Sequence, residues 1–179
     1  MARVVLLRGV NVGGHKTFRP KKLAEALAHL GAVNIGAAGT FVIRTRVSRA
    51  QLRDEFASRL PFETEIMICS GREIVGLLAH NCFAKYPPRP DIVRFVSVLS
   101  RVPRSAPTLP VTLPPSGQWL VKVLARDGRF VLGMYRRHMK TITYLGSLDR
   151  AFGTTTTRNW NTITAIAKAV NERAPAESV

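Results

Sequence analysis

The sequence predicts an α+β protein. A ferredoxin-like split βαβ sandwich, residues 1–90, is followed by a smaller α/β half, residues 91–179, and we expect the two to pack as one unit. Three observations predict this fold. The chain up to Cys69 has the order strand, helix, strand, strand, helix, strand, and a proline-rich break follows at residues 86–90. Beyond the break, Asp127-Gly128 between two apolar runs indicates a β-hairpin.

The first half begins with a buried strand. Residues 4–7 are a continuous run of Val and Leu, which is typical of a central strand covered on both faces. Pro20 suits the first turn of a helix, and Gly31 suits its end. Two short strands, residues 33–35 and 41–43, then follow and are joined by a glycine-containing turn.

Two capping boxes mark the next two helices. Ser48 stands three residues before Gln51, and Ser70 stands three residues before Glu73. In each pair the two side chains can cap each other's backbone amides at a helix N-terminus. A strand at residues 65–69 separates the two predicted helices.

The second half contains a strand at residues 92–99, an extended proline-rich segment at 102–116, the hairpin and a closing helix that includes Trp160. Residues 174–179 are predicted to be a frayed tail. The predicted core face of the hairpin carries Trp119, Val121, Val123, Ala125, Phe130, Leu132 and Met134.

The chain is strongly basic, with 27 Lys and Arg against 11 Asp and Glu and a net charge of +16. Residues 1–50 and 92–147 each carry nine basic residues and one acidic residue, so each region has a net charge of +8. Such an excess attracts polyanions, although arginine-rich composition alone can also produce it.

Several classes of protein are disfavoured. No apolar run approaches the roughly 20 residues of a membrane helix, so we expect a cytoplasmic protein without membrane contact. The sequence leaves the oligomeric state open, and a monomer is favoured. The two cysteines, Cys69 and Cys82, match neither a zinc spacing nor a redox motif, and we expect neither a metal nor a cofactor.

A glycine-rich loop follows the first strand, and six of its residues are candidate anion ligands: Arg8, Asn11, Gly13, Gly14, His15 and Lys16. The loop is not a phosphate loop of an NTPase, because His15 separates the last glycine from the lysine and the helix begins only at Pro20. Its glycine amides could still face a bound anion. The alternative is a tight turn in which the glycines only supply positive φ.

A threonine-rich segment near the C-terminus supplies four more candidate anion ligands: Thr157, Arg158, Asn159 and Asn161. A hydroxyl-rich segment that leads into a helix caps it, and helix N-termini bind phosphate or carboxylate. The alternative is simple capping beside a core tryptophan.

Six basic residues form a predicted basic patch in the second half: Lys122, Arg126, Arg129, Arg136, Arg137 and Lys140. In the predicted register Arg126 and Arg129 oppose each other across the hairpin, where like charges repel unless water or an anion intervenes. Such a patch could follow a phosphate backbone. The alternative is a solvated face.

Two motifs together suggest a family. Residues 6–14, LLRGVNVGG, and residues 157–162, TRNWNT, resemble the bacterial family described as domain of unknown function 1697. The resemblance implies a ferredoxin-like first half and a related, abbreviated second half, and it implies no activity, cofactor or catalytic residue. We expect the two motifs to meet in one site, with Cα atoms within roughly 15 Å.

The favoured function is binding of an anionic ligand, with nucleic acid as the leading candidate through weakly specific backbone contacts. Aromatic residues make up only 7% of the chain, so support for base stacking is poor. One alternative is an enzyme that acts on a phosphorylated or carboxylated small molecule, with His15 as acid or base. The other is an interaction scaffold without a ligand.

Overall fold

The computed structural model describes residues 1–172, so the predicted tail at 174–179 lies outside the described residues. The chain divides into two compact units. The first unit is Met1–Ala79 together with Asn161–Val179, and the second is His80–Trp160. Most of the closing helix, which the predicted division after residue 90 assigns to the second half, therefore belongs to the first unit.

The described residues form nine strands and six helices. In chain order they are β1 (Arg3–Leu7), α1 (Pro20–Ala26), β2 (Ala32–Asn34), β3 (Thr40–Ile43), α2 (Arg49–Ala57), β4 (Ile66–Ser70), α3 (Gly71–Leu77), β5 (Ile92–Leu99), β6 (Val111–Leu113), β7 (Val121–Asp127), β8 (Phe130–Arg136), α4 (Thr141–Gly146), α5 (Leu148–Phe152), β9 (Thr155–Asn159) and α6 (Trp160–Asn171). A short 3₁₀ turn, Ala28–Leu30, extends α1.

The first unit contains a four-stranded antiparallel sheet with the order β2-β3-β1-β4. This strand order, with α1 and α2 as the crossovers, agrees with the predicted split βαβ arrangement. Strand β1 lies at the centre and is buried on both faces, as its continuous apolar run predicts. Val5 and Leu7 pack with Phe41 from β3 and with Leu27 and Phe56 from the helical layer.

The local signals for helix ends are confirmed. Ser48 and Gln51 form a reciprocal capping box at α2, and Ser70 and Glu73 form another at α3. Gly31 ends the 3₁₀ turn in the left-handed region at φ +60°, where a residue without a Cβ is not strained.

The second unit contains a five-stranded antiparallel sheet with the order β6-β7-β8-β5-β9. Without the short edge strand β6, the order β7-β8-β5-β9 repeats that of the first sheet. Between β5 and β7, the proline-rich segment at 102–116 takes the place that α1 has in the first unit. Between β8 and β9, the helices α4 and α5 take the place of α2. The α+β class is thus confirmed, and the second sheet is related to the first in strand order.

The register of the hairpin differs from the prediction. Asp127 pairs with Phe130 and Arg126 pairs with Val131, so the turn is Gly128-Arg129 and the predicted opposition of Arg126 and Arg129 is wrong. Gly128 has φ +54°, and glycine at the first turn position fits a two-residue turn of type II′.

A β-bulge between Val123 and Ala125 also shifts the faces of β7. Val121 and Val123 share a core with Val131, whereas the face of β8 with Phe130, Leu132 and Met134 is buried on the opposite side. The predicted single core face of the hairpin is therefore wrong, because the extra residue in β7 changes the alternation of its side chains.

None of the helices within residues 1–172 combines the length and apolar composition that crossing a bilayer requires.

Candidate functional site

The glycine-rich loop of the first unit is a small hairpin. The Asn11 amide donates to the Lys16 carbonyl at 3.2 Å, and the His15 amide donates to the Val12 carbonyl at 3.0 Å. Positive φ values occur at Gly9, Asn11, Gly13, Gly14 and Lys16. The glycines therefore supply the backbone conformations of a tight turn, as the alternative interpretation of this loop expects.

Asn11 holds the loop together. Its Nδ2 donates to the Ala37 carbonyl at 2.9 Å, and its Oδ1 accepts from the Phe18 amide at 2.9 Å. Both ends of the side-chain amide thus bind backbone within the first unit, which also explains why asparagine tolerates the left-handed conformation at φ +54°.

Lys16 is anchored in the same way, since its Nζ donates to the Glu63 carbonyl at 2.8 Å and lies 6.0 Å from the centroid of the Phe62 ring. Arg8 is half-buried, and its backbone amide donates to the Glu65 carbonyl at 3.1 Å. Gly13, Gly14 and His15 are exposed at the tip of the hairpin.

The threonine-rich segment forms strand β9, which runs directly into the closing helix α6. The Thr157 hydroxyl lies 2.6 Å from the Ser97 hydroxyl on β5. The Asp149 carboxylate accepts from both the amide and the hydroxyl of Thr155, at 2.9 and 2.8 Å. Threonine is β-branched and packs well on a pleated sheet, which accounts for the strand.

Arg158 is buried in this strand, with only 5% of its surface exposed. Its Nη1 donates to the Thr156 hydroxyl and to the Thr157 carbonyl, both at 2.8 Å. Burial lowers the pKa of Arg158 to about 10, so the guanidinium is still charged at neutral pH. Asn159 and Asn161 are exposed. The hypothesis that this motif and the glycine loop form one site stays a prediction.

The six residues of the predicted basic patch lie in two groups. Arg129 is the second residue of the hairpin turn, and Arg126 lies two residues before the turn begins. The Arg126 Nη1 donates to the Gly128 carbonyl at 3.2 Å. Lys122 lies four residues earlier on β7, roughly 13 Å away at the rise of a β-strand. Arg136 is the last residue of β8, the strand that pairs with β7. Arg137 and Lys140 follow it in the chain.

Lys122 and Arg136 lie over the same aromatic ring. The Lys122 Nζ is 5.0 Å from the centroid of Trp119 and 5.6 Å from that of Tyr86. The Arg136 guanidinium carbon is 4.4 Å from the Trp119 centroid, and its Nε donates to the Trp119 carbonyl at 3.1 Å. Trp119 is half-buried here and lies between charged groups, so its predicted place on an apolar core face is wrong.

Asp91 links this cluster to two further arginines. Its carboxylate accepts from Arg136 Nη1 at 3.0 Å and from Arg89 at 2.8 and 3.1 Å, while its carbonyl accepts from the Arg137 amide at 2.9 Å. The hydrogen bond from Arg89 is the main reason why the pKa of Asp91 lies below its usual value.

Arg94 completes the group on the neighbouring strand β5. Its Nη2 donates to the Tyr86 carbonyl at 2.7 Å, and its guanidinium carbon is 5.2 Å from the centroid of Phe83. We call the whole group the basic-aromatic surface, which consists of Tyr86, Arg89, Asp91, Arg94, Trp119, Lys122, Arg136 and Arg137.

The basic patch predicted from the sequence lacks five of the eight residues of this surface, namely Tyr86, Arg89, Asp91, Arg94 and Trp119. Tyr86 lies in the proline-rich break at residues 86–90, and Trp119 is predicted to lie on the core face of the hairpin. The available signal was the alternation of Arg94 with apolar residues on β5, together with the proximity of Lys122 to Trp119 in sequence.

Within residues 1–172, no group of three or more His, Cys, Asp or Glu side chains could hold a metal ion. Cys69 is buried, and burial raises the pKa of the half-buried Cys82 thiol.

Comparison with known proteins gives a family and a fold. The family model described as protein of unknown function (DUF1697) matches residues 1–111. No curated protein sequence matches the chain. A solved structure, that of the conserved bacterial protein SP0830 from Streptococcus pneumoniae, is similar with a TM-score of 0.59 at 15% sequence identity, over 95% of this chain and 98% of that one. Because the family model covers more than half of the sequence, the chain belongs to the DUF1697 family of proteins of unknown function.

Proposed function

We propose that this protein binds nucleic acid, and that the phosphates contact the basic-aromatic surface of the second unit. The observation that carries the proposal is the pair of cations over one indole ring, with Lys122 at 5.0 Å and Arg136 at 4.4 Å from the centroid of Trp119.

These cations are held in place before any ligand arrives. Arg136 is fixed by the Trp119 carbonyl and by Asp91, and Lys122 lies near two aromatic rings. Binding a phosphate therefore costs little side-chain entropy, which is the usual benefit of a preorganised site. The remaining N–H donors of Arg136 suit a phosphate oxygen pair.

The charge of the surface also favours a polyanion. The surface contains one carboxylate, that of Asp91, which binds Arg89 and Arg136. It contains five cationic side chains: Arg89, Arg94, Lys122, Arg136 and Arg137. Phosphate contacts of this kind carry no sequence information, so we expect weak sequence specificity and steep salt dependence. The alternatives are an enzymatic role of His15 on the glycine loop and a scaffold without a ligand. The following experiment distinguishes nucleic-acid binding from both.

The test is binding of fluorescent single- and double-stranded oligonucleotides across a salt series. The double variant K122Q/R137Q removes two charges from the surface, and the matched control K21Q/K22Q removes two exposed charges from α1 in the first unit. We expect the slope of log K against log[salt] to become shallower by about 1–2 in K122Q/R137Q, as each lost phosphate contact contributes about 0.7–0.9.

Two results would overturn the proposal. Equal losses in both double variants would mean that diffuse charge drives the binding. A wild-type protein that binds no oligonucleotide at moderate salt would leave the small-molecule and scaffold alternatives.

A further inference from the structure

Two apolar side chains next to the basic-aromatic surface are unusually exposed. Met139 exposes 91% of its surface and Ile142 exposes 74%, the largest values among the big apolar residues within residues 1–172. They stand three residues apart, just before and just inside α4.

Hydrogen bonds in the surrounding turn hold these side chains outward. The Thr141 hydroxyl donates to the Arg136 carbonyl at 2.7 Å, and the Thr141 amide donates to the His138 carbonyl at 3.0 Å. The Lys140 amide donates to His138 Nδ1 at 3.2 Å. Through Arg136 the turn is continuous with the basic-aromatic surface.

Exposed cations flank the two apolar side chains. Arg137 precedes Met139, and Lys140 follows it. A ligand that matches this arrangement must combine regularly spaced negative charge with exposed apolar faces. Single-stranded nucleic acid has both, because its bases can unstack from one another. In a duplex the base faces are stacked together, so contact between an aliphatic side chain and a base face requires the bases to be unstacked first, which is unfavourable.

An anionic lipid surface offers a similar combination of charge and apolar material. However, Lys122 and Arg136 are only partly accessible, and the side chain of Arg136 is 21% exposed. A flexible strand can reach such groups together with Met139, whereas a flat bilayer contacts only the most protruding side chains. The structure therefore favours a strand over a membrane.

We propose that Met139 and Ile142 contact the bases of single-stranded nucleic acid while the neighbouring cations bind its phosphates. This inference rests on the proposed function, and it adds a preference for single strands to it.

The experiment compares M139A/I142A with wild type and with V12A/V102A, a control that truncates two other exposed apolar side chains. Oligonucleotides are measured as single strands and as duplexes across the salt series, and vesicles of equimolar phosphatidylcholine and phosphatidylserine are measured in parallel. We expect M139A/I142A to bind the single strand about tenfold more weakly, with an unchanged salt slope and unchanged duplex affinity. In the variant M139W, we expect single strands to quench the added indole fluorescence.

The outcomes separate the two proposals. If wild type binds oligonucleotides through Lys122 and Arg137 but M139A/I142A binds them equally well, only the inference on Met139 and Ile142 is wrong. A loss of vesicle binding in M139A/I142A without loss of oligonucleotide binding also overturns this inference and assigns the turn to a lipid surface. If wild type binds no oligonucleotide, the proposed function fails with it.

Discussion

At the scale of single residues, Arg158 shows how a motif residue can serve the fold. It lies in the TRNWNT motif, yet its guanidinium is buried and donates to Thr156 and to the Thr157 carbonyl. A substitution there would change the stability of the second unit as well as any ligand contact, so a loss of binding in that variant has two explanations.

We expect Arg158→Ala to lower the free energy of unfolding by about 2–4 kcal/mol, because it removes hydrogen bonds from buried partners and leaves a cavity. Denaturant unfolding followed by circular dichroism measures the change. The control is Arg150→Ala, an exposed arginine of α5, for which we expect a change within about 0.5 kcal/mol. Equal stability of the two variants would contradict the buried role of Arg158.

Asp91 predicts a pH dependence for the basic-aromatic surface. Its pKa is lowered from 3.8, first by the hydrogen bond from Arg89, so the folded protein favours the carboxylate form. The stabilising contribution is therefore complete above pH 3.8 and is lost as the pH falls through the lower pKa of the folded state.

An NMR titration of the Asp91 carboxyl carbon checks this. We expect a midpoint below 3.8 in wild type and a higher midpoint in Arg89→Gln, where the main hydrogen bond is absent. A wild-type midpoint at or above 3.8 would show that Arg89 does not hold the carboxylate.

At the scale of elements, the turn between β2 and β3 packs tightly against the start of the glycine loop. Gly39 has φ +67°, and a Cβ placed there would lie 2.5 Å from Val10 Cγ2 and 2.9 Å from Leu7 Cβ. Its carbonyl accepts from the Leu7 amide at 2.8 Å. The turn thus fixes the point where the chain leaves β1 and enters the loop.

We expect Gly39→Ala to destabilise the protein by about 2–4 kcal/mol, from the steric conflict together with the strain of positive φ. Gly36→Ala in the same turn is a matched control, since its φ is +69° and nothing lies within 4 Å of an added Cβ. That variant should lose only about 1–2 kcal/mol. Thermal unfolding of both variants gives the comparison, and a similar loss in each would show that strain alone limits the turn.

The sequence predicts the elements far better than their register. Capping boxes at Ser48 and Ser70 and the buried strand β1 are local patterns, and all three are confirmed. The bulge in β7 and the one-residue shift of the turn depend on packing against β8, which no local pattern reports. Trp119 lies two residues before the start of β7, so the side-chain alternation of that strand does not fix the side on which it lies.

At the scale of the whole molecule, the net charge of +16 is large for 179 residues. Repulsion among the excess positive charges destabilises the compact state. Raising NaCl from about 0.01 M to about 0.15 M shortens the Debye length from about 30 Å to about 8 Å, which screens the repulsion.

We therefore expect salt to stabilise the free protein over this range by about 1 kcal/mol, or about 2–4 °C in Tm. A scan in a non-ionic osmolyte of equal osmolality is the control. A Tm that falls as salt is added would mean that attractive ion pairs, such as Arg136–Asp91, outweigh the repulsion.

Residues distant in sequence account for what could not be predicted. The α+β class of the fold follows from patterns that the sequence displays. The repeated strand order of the second sheet does not, because it includes β9, which lies in the threonine-rich segment where the sequence patterns predict no strand. The basic-aromatic surface combines β5, β7, β8 and the segment around Tyr86, and only the folded second unit brings these together. That the glycine-rich loop and the TRNWNT motif meet in one site stays a prediction.

The division of the chain also bears on its synthesis. The chain leaves the first unit after Ala79 and returns to it at Asn161. Arg44 donates to the Ala169 carbonyl at 3.4 Å and lies 3.8 Å from the Glu172 carboxylate. These contacts form only after the closing helix has been synthesised. At about 5–20 residues per second, the ribosome takes roughly 4–16 s to produce the intervening segment. The unit that is translated first is consequently completed last, after every residue of the second unit has emerged.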